Sequence, residues 1–322
     1  MVLFKTKCYN KGGSFMAINK AMLAALKALS YPDVDIRKTY KLYRKIKKLN
    51  GKGFKLSKCY EVWDRTVLNG EHEVPVRIFS PKNEKTDRIL LFFHGGGWVV
   101  GNIDSYTKVC ANMACLTKHT VVSVDYRLAP ENKFPCGLED CYAVAKELFG
   151  NWKYLDINPE NITLIGDSAG GNLAAALSLM ARDRKDFVLK RQILIYPATG
   201  NDYSENSPFA SVKDNGKDYL LTSKRVEGYM DLYMSSEEDK KNPYFSPLFA
   251  SDLTNQPETL IITAEFCPLR DEGEAYGKKL QEAGNKAYVH RIPDALHGYF
   301  SLPPHFDVVE KTYDIINEFL WR

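Results

Sequence analysis

The sequence predicts an α/β protein built on an eight-stranded, mostly parallel sheet flanked by helices, with a helical piece ahead of it. Three observations carry this. From residue 61 onward, short runs rich in β-branched and aromatic residues alternate with segments of helical period. The later runs, Ile89–Phe93 above all, are continuously apolar, as expected of strands buried on both faces of a parallel sheet. The 322 residues are 44% hydrophobic and 26% charged, enough for one large α/β domain with appendages.

The elements follow in order. Segments 17–29 and 35–49 read as helices separated by the breaker Ser30-Tyr31-Pro32-Asp33. The second places Ile36, Tyr40, Tyr43 and Ile46 on one stripe and most of its Lys and Arg elsewhere. Such a helix packs on the body with a solvated basic face, or lies on an anionic membrane. Strands 61–67 and 73–79 alternate in polarity and are joined by Asn69-Gly70, a hairpin signal. Strands at 89–93, 120–125, 162–165, 192–196, 259–263 and 287–292 then alternate with helices at 105–117, 137–149, 169–182, 223–234, 271–283 and 306–320. The stretch from 198 to 255 is too long for a simple connection and reads as an insertion over one end of the sheet.

Charge is divided unevenly. Residues 1–60 hold 15 basic side chains and only Asp33 and Asp35 as acids, a surplus of 13, whereas the remainder, with 29 basic and 38 acidic groups, has a deficit of 9. An acidic body under a basic N-terminal piece argues against a nucleic-acid binder. No run approaches the roughly 18 to 20 apolar residues of a membrane span, so neither a signal peptide nor an anchor is expected. The seven cysteines (Cys8, Cys59, Cys110, Cys115, Cys136, Cys141 and Cys267) form no C-x-x-C pair, and reduced thiols in a cytoplasmic protein are the expectation. Lys11-Gly12-Gly13 ahead of Met16 fits the triplets of a ribosome-binding site, which makes Met16 the expected start; a disordered N-terminus is the alternative.

Ligands of such sheets sit at the carboxyl ends of the strands. After the strand at 162–165 comes Gly166-Asp167-Ser168-Ala169-Gly170-Gly171, leading straight into a helical segment. This strand–turn–helix context suits a nucleophile elbow, in which glycines keep Cβ atoms out of a tight turn that lifts Ser168 above the sheet. The absence of a following Gly-Lys-Ser/Thr excludes a phosphate loop. After the strand at 89–93 comes His94-Gly95-Gly96-Gly97-Trp98, whose glycines let backbone N–H groups approach an anion. The amides of Gly96, Gly97 and Ala169 are therefore the expected oxyanion hole. His297, beyond the final strand, is the expected base, because base follows serine in this arrangement, and His94 is assigned to holding its loop. Neither metal nor cofactor is called for by this chemistry.

The stretches HGGGW (94–98), DYRLAPE (125–131), GDSAGGN (166–172), NPYFSPL (242–248), PLRDEGEAY (268–276) and HGYF (297–300) together resemble the hormone-sensitive-lipase branch of the α/β-hydrolases, the GDSAG-type bacterial carboxylesterases. The resemblance covers most of residues 60–322. It implies the α/β-hydrolase fold for 56–322 and a helical cap from 1–55 with a contribution from about 203–240. It also implies a serine carboxylesterase acting on short acyl esters, with a small-molecule ester as partner and a homodimer left open. Trp98, Tyr126 and Tyr299 are candidates to line its pocket.

One member is missing. In this family the triad acid is the Asp before Pro-Leu-Arg-Asp-Glu-Gly, and here that residue is Cys267. A thiol is a weak hydrogen-bond partner and largely neutral at pH 7. Glu265 and Asp202 are the first candidates to replace the acid, and Asp271 and Asp294 the next; a Ser–His dyad is the remaining arrangement. A degraded esterase that binds a small ligand is the rival reading of the whole chain.

Overall fold

All eight expected strands are present in a computed structural model of the protein, which describes residues 27–28, 33–50, 59–82, 86–151 and 157–322. They are β1 (Tyr60–Asn69), β2 (His72–Pro81), β3 (Ile89–Phe93), β4 (Thr120–Val124), β5 (Ile162–Asp167), β6 (Arg191–Ile195), β7 (Glu258–Phe266) and β8 (Ala287–Leu296). One sheet holds them in the order β1-β2-β4-β3-β5-β6-β7-β8. β1 and β2 pair antiparallel about the Asn69–His72 turn, β2 runs antiparallel to β4, and β3 to β8 are joined by parallel ladders. The central strands are apolar for a physical reason: every residue of β3 is buried, and each Leu or Phe so placed contributes about 1.5–3 kcal/mol.

The helices are α1 (Ile36–Asn50), α2 (Thr107–Thr117), α3 (Cys136–Gly150), α4 (Ala169–Arg184), α5 (Ala210–Asp214), α6 (Ser223–Tyr233), α7 (Arg270–Glu282) and α8 (Asp307–Leu320). Within the long insertion the sequence showed α6 and missed α5, five residues being too few for a periodic pattern. The helix expected over 17–29 lies outside the described residues except for Lys27 and Ala28, as does everything around Met16. Among the described residues no helix is long and apolar enough to cross a membrane.

α1 is fastened to the loops that surround the carboxyl ends of the strands. Arg44 donates from Nε to Val99 O (2.7 Å) and from Nη2 to Ala129 O (2.6 Å), and it pairs with Glu131. Arg37 pairs with Asp231 of α6, and Asp33 accepts from the Thr222 hydroxyl (2.9 Å) beside Arg225. The sequence called Ile36 apolar-face, and it is buried at 3% exposure against Gly228 of α6. Leu42 and Ile46 remain exposed.

The expectation of reduced thiols throughout needs correction: Cys59, entering β1, and Cys115, on α2, form a disulfide with Cα atoms 6.0 Å apart. Their separation of 56 residues carried no signal, because only packing of α2 beside the β1–β2 hairpin brings them together. Cys110, Cys136, Cys141 and Cys267 are free thiols.

Charge-assisted hydrogen bonds are worth about 1.5–3 kcal/mol. Arg44→Ala is therefore expected to lower the opening free energy of α1 by about that amount, measured as faster amide hydrogen exchange in α1 with little change in the strands.

Candidate active site

Ser168 occupies a turn that ordinary residues avoid, with φ 57° and ψ −117°. Neighbouring strands hold it there: its N–H donates to Ile195 O at the end of β6 (2.8 Å), and its carbonyl accepts from Asn172 N–H in the first turn of α4 (3.0 Å). The turn needs glycine where α4 crosses β3, since a Cβ on Gly170 would stand 1.9 Å from Phe93 O. Asn172 in turn donates to Ala198 O (2.8 Å) and Phe245 O (2.9 Å), tying the elbow to the insertion.

The His-Gly-Gly-Gly loop lies alongside. Gly96 has φ +127°, and its Cβ would meet Val100 O at 2.0 Å, so the loop can fold this tightly only on glycine. His94 is buried, its ring stacked on Tyr126 at 4.3 Å and its Nδ1 2.8 Å from Gly95 O. Burial pushes its pKa down to about 4, which leaves it neutral beneath the loop. Gly96, Gly97, Ser168 and Ala169 all face one cavity of about 290 Å³. The amino end of α4 points into it, where the helix dipole favours negative charge.

His297 follows β8 and precedes Gly298, whose φ of +83° turns the chain back over the sheet. Its Nε2 lies 2.9 Å from Ser168 Oγ, and its Nδ1 lies 3.1 Å from Cys267 Sγ. Cys267 is fully buried and also receives the Leu269 N–H at 3.4 Å. Burial pushes this thiol far above its usual range, so the group at Nδ1 is neutral. Burial likewise drives the His297 pKa down to about 3, with no charged group contributing to the shift.

None of the carboxylates weighed as a replacement acid hydrogen-bonds His297. Glu265 accepts the Asp294 N–H at 2.7 Å, where Asp294 has a positive φ of 59°, and so braces the loop that carries His297. Asp202 caps its own turn by accepting from Ser204 N–H (2.9 Å). Asp271 accepts from Ser211 N–H (2.7 Å) and Arg270 Nε (2.8 Å). Glu265 lies on the right strand, but the Asp294 backbone N–H takes its carboxylate, a competition invisible in the sequence.

Two buried carboxylates beside the site escaped sequence reasoning. Asp167 accepts from Gly95 N–H (2.7 Å) and the Tyr106 hydroxyl (3.0 Å), linking the serine turn to the glycine loop; burial lifts its pKa to about 6 against those donors. Glu272 accepts from Thr199 N–H (2.7 Å) and the Tyr203 hydroxyl (2.9 Å), and burial lifts it to about 7. Position within GDSAG and RDEGE was the available signal for each. Of the three aromatics proposed for the pocket, Trp98 lines it, while Tyr126 stacks on His94 and Tyr299 packs on Tyr196. Tyr43 and Lys47 of α1 and Tyr229 of α6 complete the walls from the other side. Among the described residues no group of His, Cys, Asp and Glu is placed to hold a metal.

The sequence model of the alpha/beta hydrolase fold matches residues 90–301. The chain belongs to the α/β-hydrolase fold family, in its hormone-sensitive-lipase branch. This α/β-hydrolase is 36% identical to an arylesterase of Saccharolobus solfataricus over 81% of the chain and 84% of that protein. It is 34% identical to an ethyl acetate hydrolase of Pseudomonas putida over 76% of each. Among solved structures it is similar to a hyperthermophilic esterase from Pyrobaculum calidifontis, with TM-score 0.82, 35% identity and coverage of 95% of this chain and 98% of that one.

Because the elbow is close-packed on backbone, Gly170→Ala is expected to destabilise this hydrolase by about 3 kcal/mol, read as a lower midpoint in chemical denaturation.

Proposed function

We propose that this enzyme, a carboxylic ester hydrolase, cleaves short acyl esters through an acyl-enzyme formed on Ser168. The observation that carries the reading is the 2.9 Å separation of His297 Nε2 and Ser168 Oγ. His297 takes the serine proton as Oγ attacks the ester carbonyl, and the alcohol leaves with that proton. Water, deprotonated by the same imidazole, then releases the acid. The amides of Gly96, Gly97 and Ala169, with the α4 dipole behind the last, stabilise the tetrahedral oxyanion. Residues 1–55 with about 203–240 act as the cap, supported by the way α1 and α6 together wall the cavity.

Cys267 stands where the triad acid belongs, and its chemistry predicts a weak base. A carboxylate at Nδ1 would select the tautomer that leaves Nε2 free and would stabilise the imidazolium; a neutral thiol does neither well. In serine proteases, losing the acid costs roughly 10⁴ in turnover. Against a typical turnover of about 10 s⁻¹, that leaves about 10⁻³ s⁻¹. The same neutral thiol is what favours the second reading, a family member that binds a small ligand without turning it over. A fluorophosphonate probe separates the two: the esterase is labelled and Ser168→Ala is not, whereas an unactivated serine stays unlabelled in both.

Short-chain nitrophenyl ester hydrolysis by Cys267→Asp is the direct test, with turnover expected to rise by at least about tenfold. Unchanged or lower turnover would mean that Cys267 does not weaken the site.

A pH profile gives an independent check. The neutral imidazole is the active form, and with its pKa near 3 the wild-type kcat/KM is expected to hold its plateau far into acid. An added carboxylate stabilises the imidazolium, so the acid limb of Cys267→Asp is expected to move up towards the ordinary histidine value of about 6.5.

A further inference from the structure

The wall supplied by α1 brings a cation into the cavity. Lys47 and Tyr43 line it together with Trp98, Ser168, Tyr229 and Leu269. Its Nζ lies 5.9 Å from the centre of the Tyr106 ring, and the Tyr106 hydroxyl is bonded to Asp167, the residue before the serine. The charge is felt at that point: burial raises the Asp167 pKa, and Lys47 is among the groups opposing the rise.

The other cations of this helix that face the body are matched. Arg37 has Asp35 and Asp231, and Arg44 has Glu131. For Lys47, no carboxylate oxygen among the described residues comes within 4.0 Å. Nor can nearby chain supply one, since Asp33 and Asp35 are the only acids in the first 60 residues. Asp33 is held by Thr222 and Arg225, and Asp35 by Arg37. Asp167 is already committed to Gly95 and Tyr106. A distant aromatic face is a weak partner for an ammonium, and the rest of the lining is largely aromatic and aliphatic. The group that would satisfy this cation is an anion carried by the ligand.

We propose that Lys47 is a specificity residue that binds a free carboxylate on the substrate, so that this hydrolase favours half-esters of dicarboxylic acids over neutral esters of equal length. The inference rests on the esterase reading above and names the substrate class of that same site. The reaction is ordinary hydrolysis: the half-ester takes up one water and yields the dicarboxylate and the alcohol, the distal carboxylate remaining unchanged.

The test compares kcat/KM for monoethyl adipate and for ethyl hexanoate, its neutral counterpart of the same chain length, followed by acid release. In Lys47→Met the adipate-to-hexanoate ratio is expected to fall about tenfold, mainly through KM of the anionic ester, and Lys47→Arg is expected to retain most of it. Lys45→Met, which removes an exposed charge two residues away, is expected to keep the wild-type ratio. A ratio unmoved by Lys47→Met, or lowered equally by Lys45→Met, would overturn the inference. If wild type hydrolyses neither ester, the esterase reading fails instead.

Discussion

The site depends on one tight backbone turn. Ser168 can stand above the sheet only because α4 begins almost in contact with β3, at a distance that no Cβ on Gly170 would allow. That closeness does three things at once. It forces the serine into positive φ, aims the first amides of α4 at the space above it, and brings Asp167 beneath the glycine loop to accept the Gly95 N–H. The serine conformation, the aim of the α4 amides and the loop geometry are thus consequences of one packing constraint.

Burial has opposite effects on the two titratable groups flanking the serine. Asp167 is deeply buried, and the amide and tyrosine hydroxyl that meet its oxygens offset desolvation only in part, so its pKa rises to about 6 while the side chain serves as a structural tie. His297 is buried equally, but its outer nitrogen meets only a neutral thiol, and desolvation goes uncompensated. A thiol in place of a carboxylate at residue 267 thus leaves the assembled imidazole without a charged partner. Glu265, a plausible replacement acid on sequence spacing, instead braces the loop at Asp294 and leaves the deficit in place.

The uneven charge of the chain also acquires a location. The basic piece includes α1, which lies over the carboxyl ends of the strands, and ion pairs to Glu131 and Asp231 fasten it to the acidic body. Part of the N-terminal surplus, Arg37 and Arg44, is therefore docking charge. Lys47 differs from Arg37 and Arg44 in facing the cavity without a carboxylate of its own.

The sequence by itself determined the sheet and singled out Ser168 and His297, which lie within hydrogen-bonding distance. Continuous apolar runs such as Ile89–Phe93 can be satisfied only as buried strands, and a glycine-flanked Ser168 between strand and helix has few other uses. Ser168 and His297 were legible because their placement follows from local backbone requirements and chain order. Tertiary structure alone decided which groups those residues meet. The Cys59–Cys115 bridge, the Asp167–Tyr106 tie, the diversion of Glu265 and the approach of Lys47 all join residues far apart in the chain. Such pairings are set by how layers pack and which donor reaches a carboxylate first, and no local pattern of residues encodes that.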